Sequence, residues 1–299
     1  MRVAHEAARV VLPGYRAKFS RHDFTLAQLF ACLVVREMMG KSYRRTEALL
    51  RDTDWCEQLG MTKVPDHATL CRAFHHILNR QRVGDMLDLF SRVMRLSHKL
   101  GRTLAIDSTY YDTHHRSRHY ERRCRKQASD DKNTVNSRRS AAAKQTPKLA
   151  IGVDTRSHLI TSGKSKTGMG SDARDFGPLL CAAVRRGPWR EVLADPGYDS
   201  RHNHELARDK LKVRSRIKAT AGRRGTQPPT DRYRRLMQQQ LQGSQAGKPY
   251  GQRAQAETVM SMLKRNLGDS LRARGEHARE MELLLKVLTH DVMIVRRCA

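Results

Sequence analysis

The sequence predicts a mixed α/β domain preceded by a small all-helical domain, and three observations carry that prediction. Apolar residues recur at helical spacing through the first hundred positions, without a strand-like run. After residue 100 the pattern changes to short runs of buried-type residues interleaved with helical segments, as in a sheet covered by helices. With 299 residues, 38% of them hydrophobic, the chain can fill one or two cores, divided here as 1–100 and 101–299.

From Thr25 to Met39, Leu26, Leu29, Phe30, Leu33, Val34 and Met38 follow the spacing of an amphipathic helix. A second helix is predicted from Tyr43 to Leu50. A third opens at Asp66, an N-cap residue, and turns Leu70, Phe74, Ile77 and Leu78 inward. A fourth, Asp85 to Ser97, places Met86, Phe90, Val93 and Met94 on one face. The outward face of the third helix carries His67, Thr69, Arg72, His76 and Arg80, residues suited to a DNA groove. Short strands follow at Thr103–Ser108, Lys148–Asp154, Ser157–Gly163, Trp189–Asp195 and Val213–Ala219, with helices at Ala173–Arg186, Asn203–Lys212 and from Arg253 onward. Gln238 to Pro249, rich in Gln and Gly, reads as a linker.

Lys and Arg number 58 against 30 Asp and Glu, a formal net charge of +28. An excess of that size implies a polyanionic partner, and nucleic acid is the commonest one. The stretch 111–148 holds 11 Lys or Arg against 4 acids, and 212–235 holds 9 against 1. Both read as basic loops, the second continuing to 249, placed to hold a phosphate backbone. The longest apolar run, Leu29 to Val35, is far short of the roughly 20 residues that span a bilayer, so the expectation is a soluble cytoplasmic protein with no membrane partner. Six scattered cysteines form no C-x-x-C pair, and Cys71 with His75 and His76 lacks the second ligand pair that zinc requires.

In so basic a chain, an acid at the end of an apolar strand is paired, capping or holding a metal. Asp107 ends TLAIDST, Asp195 ends EVLAD before PGYDS, and Glu257 lies in YGQRAQAETVMSMLKR. Were that last segment one helix from Tyr250, Arg253, Glu257 and Lys264 would fall within about 60° of it, and Val259, Met260, Met262 and Leu263 would be free to bury. Asp112, Asp154 and Asp199 rank behind the first three, as supporting or structural acids.

The spacing Tyr250-x2-Arg253-x3-Glu257-x6-Lys264 resembles the Y-R-E-K signature of insertion-sequence DDE transposases, and Asp107 and Asp195 resemble the two aspartates of their triad. The similarity covers roughly residues 100–299 and extends weakly to Asp66-His67-Ala68-Thr69-Leu70. It implies a ribonuclease-H-like catalytic domain in which Asp107, Asp195 and Glu257 hold two Mg²⁺ or Mn²⁺ ions. It also implies double-stranded DNA as partner, both the terminal inverted repeats and the target, contacted by Tyr250, Arg253 and Lys264 as well as Arg72. A homodimer at synapsis and a nucleoid-associated location go with that activity. A catalytically silent regulator and a metal-dependent nuclease without strand transfer are the alternative readings.

Overall fold

The computed structural model describes residues 1–19, 21–114, 146–168, 170–220, 229–241 and 247–298, so most of the basic segment 111–148 and parts of 212–249 lie outside the described residues. Six helices come first: α1 (Arg2–Val11), α2 (Leu26–Met38), α3 (Tyr43–Arg51), the single turn α4 (Trp55–Gln58), α5 (His67–Ile77) and α6 (Arg80–Leu96). Four of the six, α2, α3, α5 and α6, start at side chains that accept an otherwise orphaned backbone N–H: Thr25 with Gln28 in a capping box, Ser42, Asp66 and Asn79.

Two expectations change here. Asn79 caps a new helix after Leu78 has turned extended, so Arg80 opens α6 and does not share the outward face of α5. The fourth helix consequently begins earlier than Asp85, and Val93 is exposed while Met86, Phe90 and Met94 are buried.

The sheet follows, built from β1 (Thr103–Tyr110), β3 (Pro147–Asp154), β4 (Ile160–Thr167), β5 (Glu191–Ala194) and β6 (Arg214–Ile217) in the order β4-β3-β1-β5-β6. Strand β3 runs antiparallel to its neighbours β1 and β4, and β5 and β6 add in parallel beside β1. A two-residue strand β2 (Asp112–Thr113) pairs with β7 (Ser270–Leu271). Helix α7 (Ala173–Val184) covers one face, because Lys164 reaches Asp175 on it. The preceding residue of β4, Gly163, faces Leu284 and Val287 of the long helix α12 (Glu276–Cys298) on the other face. Between β5 and β6 run α8 (Arg201–Glu205) and a π-helical turn (Leu206–Lys210), and α9 (Arg232–Leu241), α10 (Gly247–Gly251) and α11 (Ala254–Leu267) precede β7.

Strand β4 starts later than the sequence suggests. Asp154 gathers the N–H groups of Gly101, Arg156 and Ser157 into a turn, and His158 takes a positive φ of 63° before the strand can begin. Part of the expected linker is also helical, since Gln supports a helix as well as Lys or Glu does, and α9 runs through Gln238, Gln239 and Gln240.

The buried apolar residues form a continuous cluster from α1 to α12 that crosses residue 100 without a seam. Helix α12 packs against α1, α2 and α6 as well as β4. At that junction Lys286 donates to the Glu37 carboxylate at 2.6 Å and to the Leu267 carbonyl, with both charged side chains at most 2% exposed.

Candidate active site

The site follows from strand register. Ile106 of β1 pairs with Ala194 of the parallel strand β5, so the next residues lie side by side: Asp107 still within β1, which continues to Tyr110 beyond the strand end the sequence suggests, and Asp195 just past the end of β5. Ser108 points to the opposite face, where its hydroxyl donates to Asp172 at 2.8 Å just before α7. Asp107 therefore faces α11, the helix that packs across β1 and carries Glu257 in its first turn.

One guanidinium ties two of the acids together. The same terminal nitrogen of Arg253 lies 2.5 Å from the Asp195 carboxylate and 2.6 Å from that of Glu257. Burial would lower the pKa of Arg253, but these two carboxylates outweigh it and hold the cation above its usual range. Asp107 is the more buried acid and accepts the N–H of Ser108 at 2.8 Å. Its carboxyl is pushed up to about 6, first by burial and then by Asp195 and Glu257, against the pull of the Ser108 N–H and Arg253.

Tyr250 and Arg253 reach this place by a different route from a single helix. Helix α10 ends at Gly251 and α11 starts at Ala254 with Arg253 as its N-cap, so Tyr250 is out of phase with Glu257. Tyr250 is instead held by its hydroxyl, which donates to the Ala194 carbonyl at 3.1 Å and fixes the strand end that presents Asp195. Lys264 lies two turns beyond Glu257, about 10 Å along α11, with its ammonium 5.4 Å from the ring centre of buried Tyr111 just past β1. Arg72 is not part of this cluster. It is exposed on α5, donating to the Thr69 hydroxyl at 3.1 Å, and α5 packs on α2 and α3.

The lesser acids have structural partners: Asp154 anchors its turn, and Asp112 lies in the short β2 pairing. Burial would raise the Asp199 carboxyl, yet His204, Arg234 and Thr220 press it well below the carboxylate range. The sequence reading did not find the network beneath Asp107, where buried Lys148 pairs with Asp172, and Asp175 collects Lys164 and Lys166. The Lys-Ser-Lys alternation of residues 164–166 was its available signal, because period two puts both lysines on one face of a strand.

Residues 98–291 match the family model of the transposase DDE domain. The chain belongs to this family. Among curated proteins no relative matches it. A DDE transposase acts on DNA, and the family normally uses divalent metals. No described helix is long and apolar enough to cross a membrane.

Whether the residues suit such an ion is tested by their donor chemistry. Among the described residues no three metal-ligating side chains are gathered into a ready-made cage. Three carboxylates nevertheless converge here, all with the oxygen donors that hard Mg²⁺ or Mn²⁺ prefers, and two of them already share a cationic nitrogen. The set fits a divalent cation, with Arg253 as its electrostatic competitor.

The raised Asp107 carboxyl has a signed pH consequence. In the unfolded chain it ionises near 3.8, in the fold near 6, so the metal-free protein loses stability as pH rises from about 4 to about 6. Asp107→Asn is expected to raise the melting temperature of metal-free protein at pH 7 and to leave it unchanged at pH 3.5. Scanning calorimetry at the two pH values checks this, and equal melting at pH 7 would contradict the environment described for Asp107.

Proposed function

We propose that the protein is the transposase of an insertion sequence: it binds the terminal inverted repeats of its element, cleaves the DNA there and joins the 3′ ends to target DNA by two-metal phosphoryl transfer. The observation that carries this reading is the convergence of Asp107, Asp195 and Glu257 on one side of a sheet whose family is that of DDE transposases. These three carboxylates would hold two Mg²⁺ or Mn²⁺ ions, whose chemistry when bound is to activate the attacking water or 3′-hydroxyl and to stabilise the leaving oxygen.

The chain's own residues do the rest. Tyr250 fixes the strand end that presents Asp195. Arg253 neutralises Asp195 and Glu257 before ions arrive, and once those acids have another partner its guanidinium is free to grip a phosphate. Lys264 offers a further phosphate contact from the same helix. In this reading residues 1–100 supply DNA recognition and 101–299 the chemistry, two copies act together at synapsis, and the enzyme works on cytoplasmic, nucleoid-associated DNA.

Cleavage of a labelled terminal repeat tests the reading. Mg²⁺ or Mn²⁺ should support cutting, Ca²⁺ should support binding without efficient cutting, and a plasmid target should acquire the freed 3′ ends. Undiminished cutting in excess EDTA would rule out the metal assignment. The recognition role of α5 is tested separately by Arg72→Ala, which should reduce discrimination between terminal-repeat and random DNA by about 1–3 kcal/mol if Arg72 reads a base edge. Competition binding measures it, and unchanged discrimination would remove Arg72 from the DNA-reading surface.

A further inference from the structure

Beneath the three carboxylates, on the other face of the sheet, a buried ion pair is connected to both of the aspartates above it. Tyr110 of β1 pairs with Lys148 of β3, so Lys148 lies on the face of Ser108 and away from Asp107. Its side chain is fully buried, and an ammonium so placed must keep its partners. Those partners are the Asp172 carboxylate, to which it donates, and the Gly170 carbonyl at 3.3 Å, with Asp175 further off at 3.8 Å. Asp172 therefore has little freedom to turn, although it stands just before α7 and is only half-buried.

Two contacts carry that constraint to Asp107. The Ser108 hydroxyl donates to the same Asp172 oxygen at 2.8 Å, and the Ser108 N–H donates to the Asp107 carboxylate at 2.8 Å. One residue thus has its side chain pinned from below while its backbone aims the acid above. Two further contacts lead to Asp195. A Cβ at Gly197, two residues on, would lie 3.4 Å from the other Asp172 oxygen, so the turn Pro196–Tyr198 rests against that carboxylate. Buried Asn203 of α8 donates to the Tyr198 carbonyl at 2.8 Å and to that of Ala173, next to Asp172, at 3.0 Å. The Tyr198 ring closes the contact against Phe176 of α7, with ring centres 6.2 Å apart.

We infer that Asp172, held by Lys148, is a positioning residue for the metal site: through Ser108 and the turn Pro196–Tyr198 it sets the orientation of Asp107 and its spacing from Asp195. The inference rests on the metal-dependent reading proposed above. Carboxylates that share ions bind them more weakly when the groups hydrogen-bonded to those carboxylates are free to turn. A purely structural role would be to fasten α7 to the sheet, and Asp175 with Lys164 and Lys166 already does that.

The test compares wild type, Ser108→Ala and Trp189→Phe, all full length and metal-free at the start. Ser108→Ala breaks the link from Asp172 to Asp107 without changing any charge. Trp189→Phe is the control for stability: it removes a buried hydrogen bond at the other end of α7, where the indole donates to the Ala183 carbonyl at 2.7 Å, and it lies before the start of β5, away from the end that presents Asp195. Mn²⁺ titration, followed by the paramagnetic resonance of the free ion, gives affinity, and calorimetry gives the melting temperature. Cleavage of a labelled terminal repeat is read across the same Mn²⁺ series. Ser108→Ala should bind Mn²⁺ about tenfold more weakly and need about tenfold more for half-maximal cutting, whereas Trp189→Phe should keep wild-type affinity even where it melts lower. Wild-type affinity in Ser108→Ala, or the same weakening in both variants, would overturn the inference. Weaker Mn²⁺ binding by Ser108→Ala beside a wild type that cuts no DNA would sink the transposase reading and leave the positioning role standing, and metal-dependent cutting with unchanged affinity in Ser108→Ala would do the reverse. A wild type that binds no Mn²⁺ would end both.

Discussion

Glu257→Gln is expected to abolish cleavage, by about a thousandfold or more in single turnover, while affinity for a terminal repeat stays equal or rises slightly. Glutamine keeps the shape and most of the hydrogen bonding of glutamate and removes the charge a divalent ion needs. It also removes one of two carboxylates within 2.6 Å of the Arg253 nitrogen, which leaves that cation freer for phosphate. Lys264→Ala should fail in the opposite manner. Its ammonium lies against the Tyr111 ring and touches no carboxylate of the triad, so binding should weaken and the salt slope fall by about one unit, with residual cleavage of bound DNA. Normal cutting by Glu257→Gln, or wild-type binding and slope in Lys264→Ala, would show that α11 presents only a solvated face.

The second large effect concerns stability at the junction of the helical region with α12. Lys286→Met should destabilise the protein by about 3 kcal/mol, because it strands the buried Glu37 carboxylate with only the weaker contact to Arg36 at 3.3 Å. The double substitution Glu37→Met with Lys286→Met should recover part of that loss, since it removes the stranded carboxylate but leaves the buried Arg36 guanidinium without its contact to Glu37. Denaturant titration of the two single variants and the double variant measures the coupling. A double variant as unstable as Lys286→Met alone would mean that packing volume, and not the stranded charge, sets the cost.

The parts of this molecule that were legible in the sequence are those in which local chemistry and tertiary need agree. Helices α2 and α5 have both an apolar stripe and a capping residue, and the structure starts them at Thr25 and Asp66. Strands β1, β3 and β5 are apolar runs with an acid at or near their ends, although β1 continues through Asp107 to Tyr110, and the register of β1 with β5 brings Asp107 and Asp195 together. The missed parts depend on distant partners. Helix α1 has no side-chain cap and gains its place by packing on α2 and α6. The two-residue pairing of β2 with β7 is too short to leave any periodicity. The break before Ala254 defeats an angular projection from Tyr250, although a hydrogen bond to Ala194 restores the convergence by other means. Nor could spacing alone reveal that Arg253 bridges two acids, because that depends on β5 and α11 meeting in space.

Helix α12 has a consequence in time as well as in space. Its partners α1, α2 and α6 come from the opposite end of the sequence, so their shared core closes only after the intervening sheet has been laid down. Contacts of such high sequence separation slow folding, and until they form the face of α2 that carries Glu37 stays uncovered. During synthesis the early helices must wait for α12, and that interval is when the chain is most exposed to self-association.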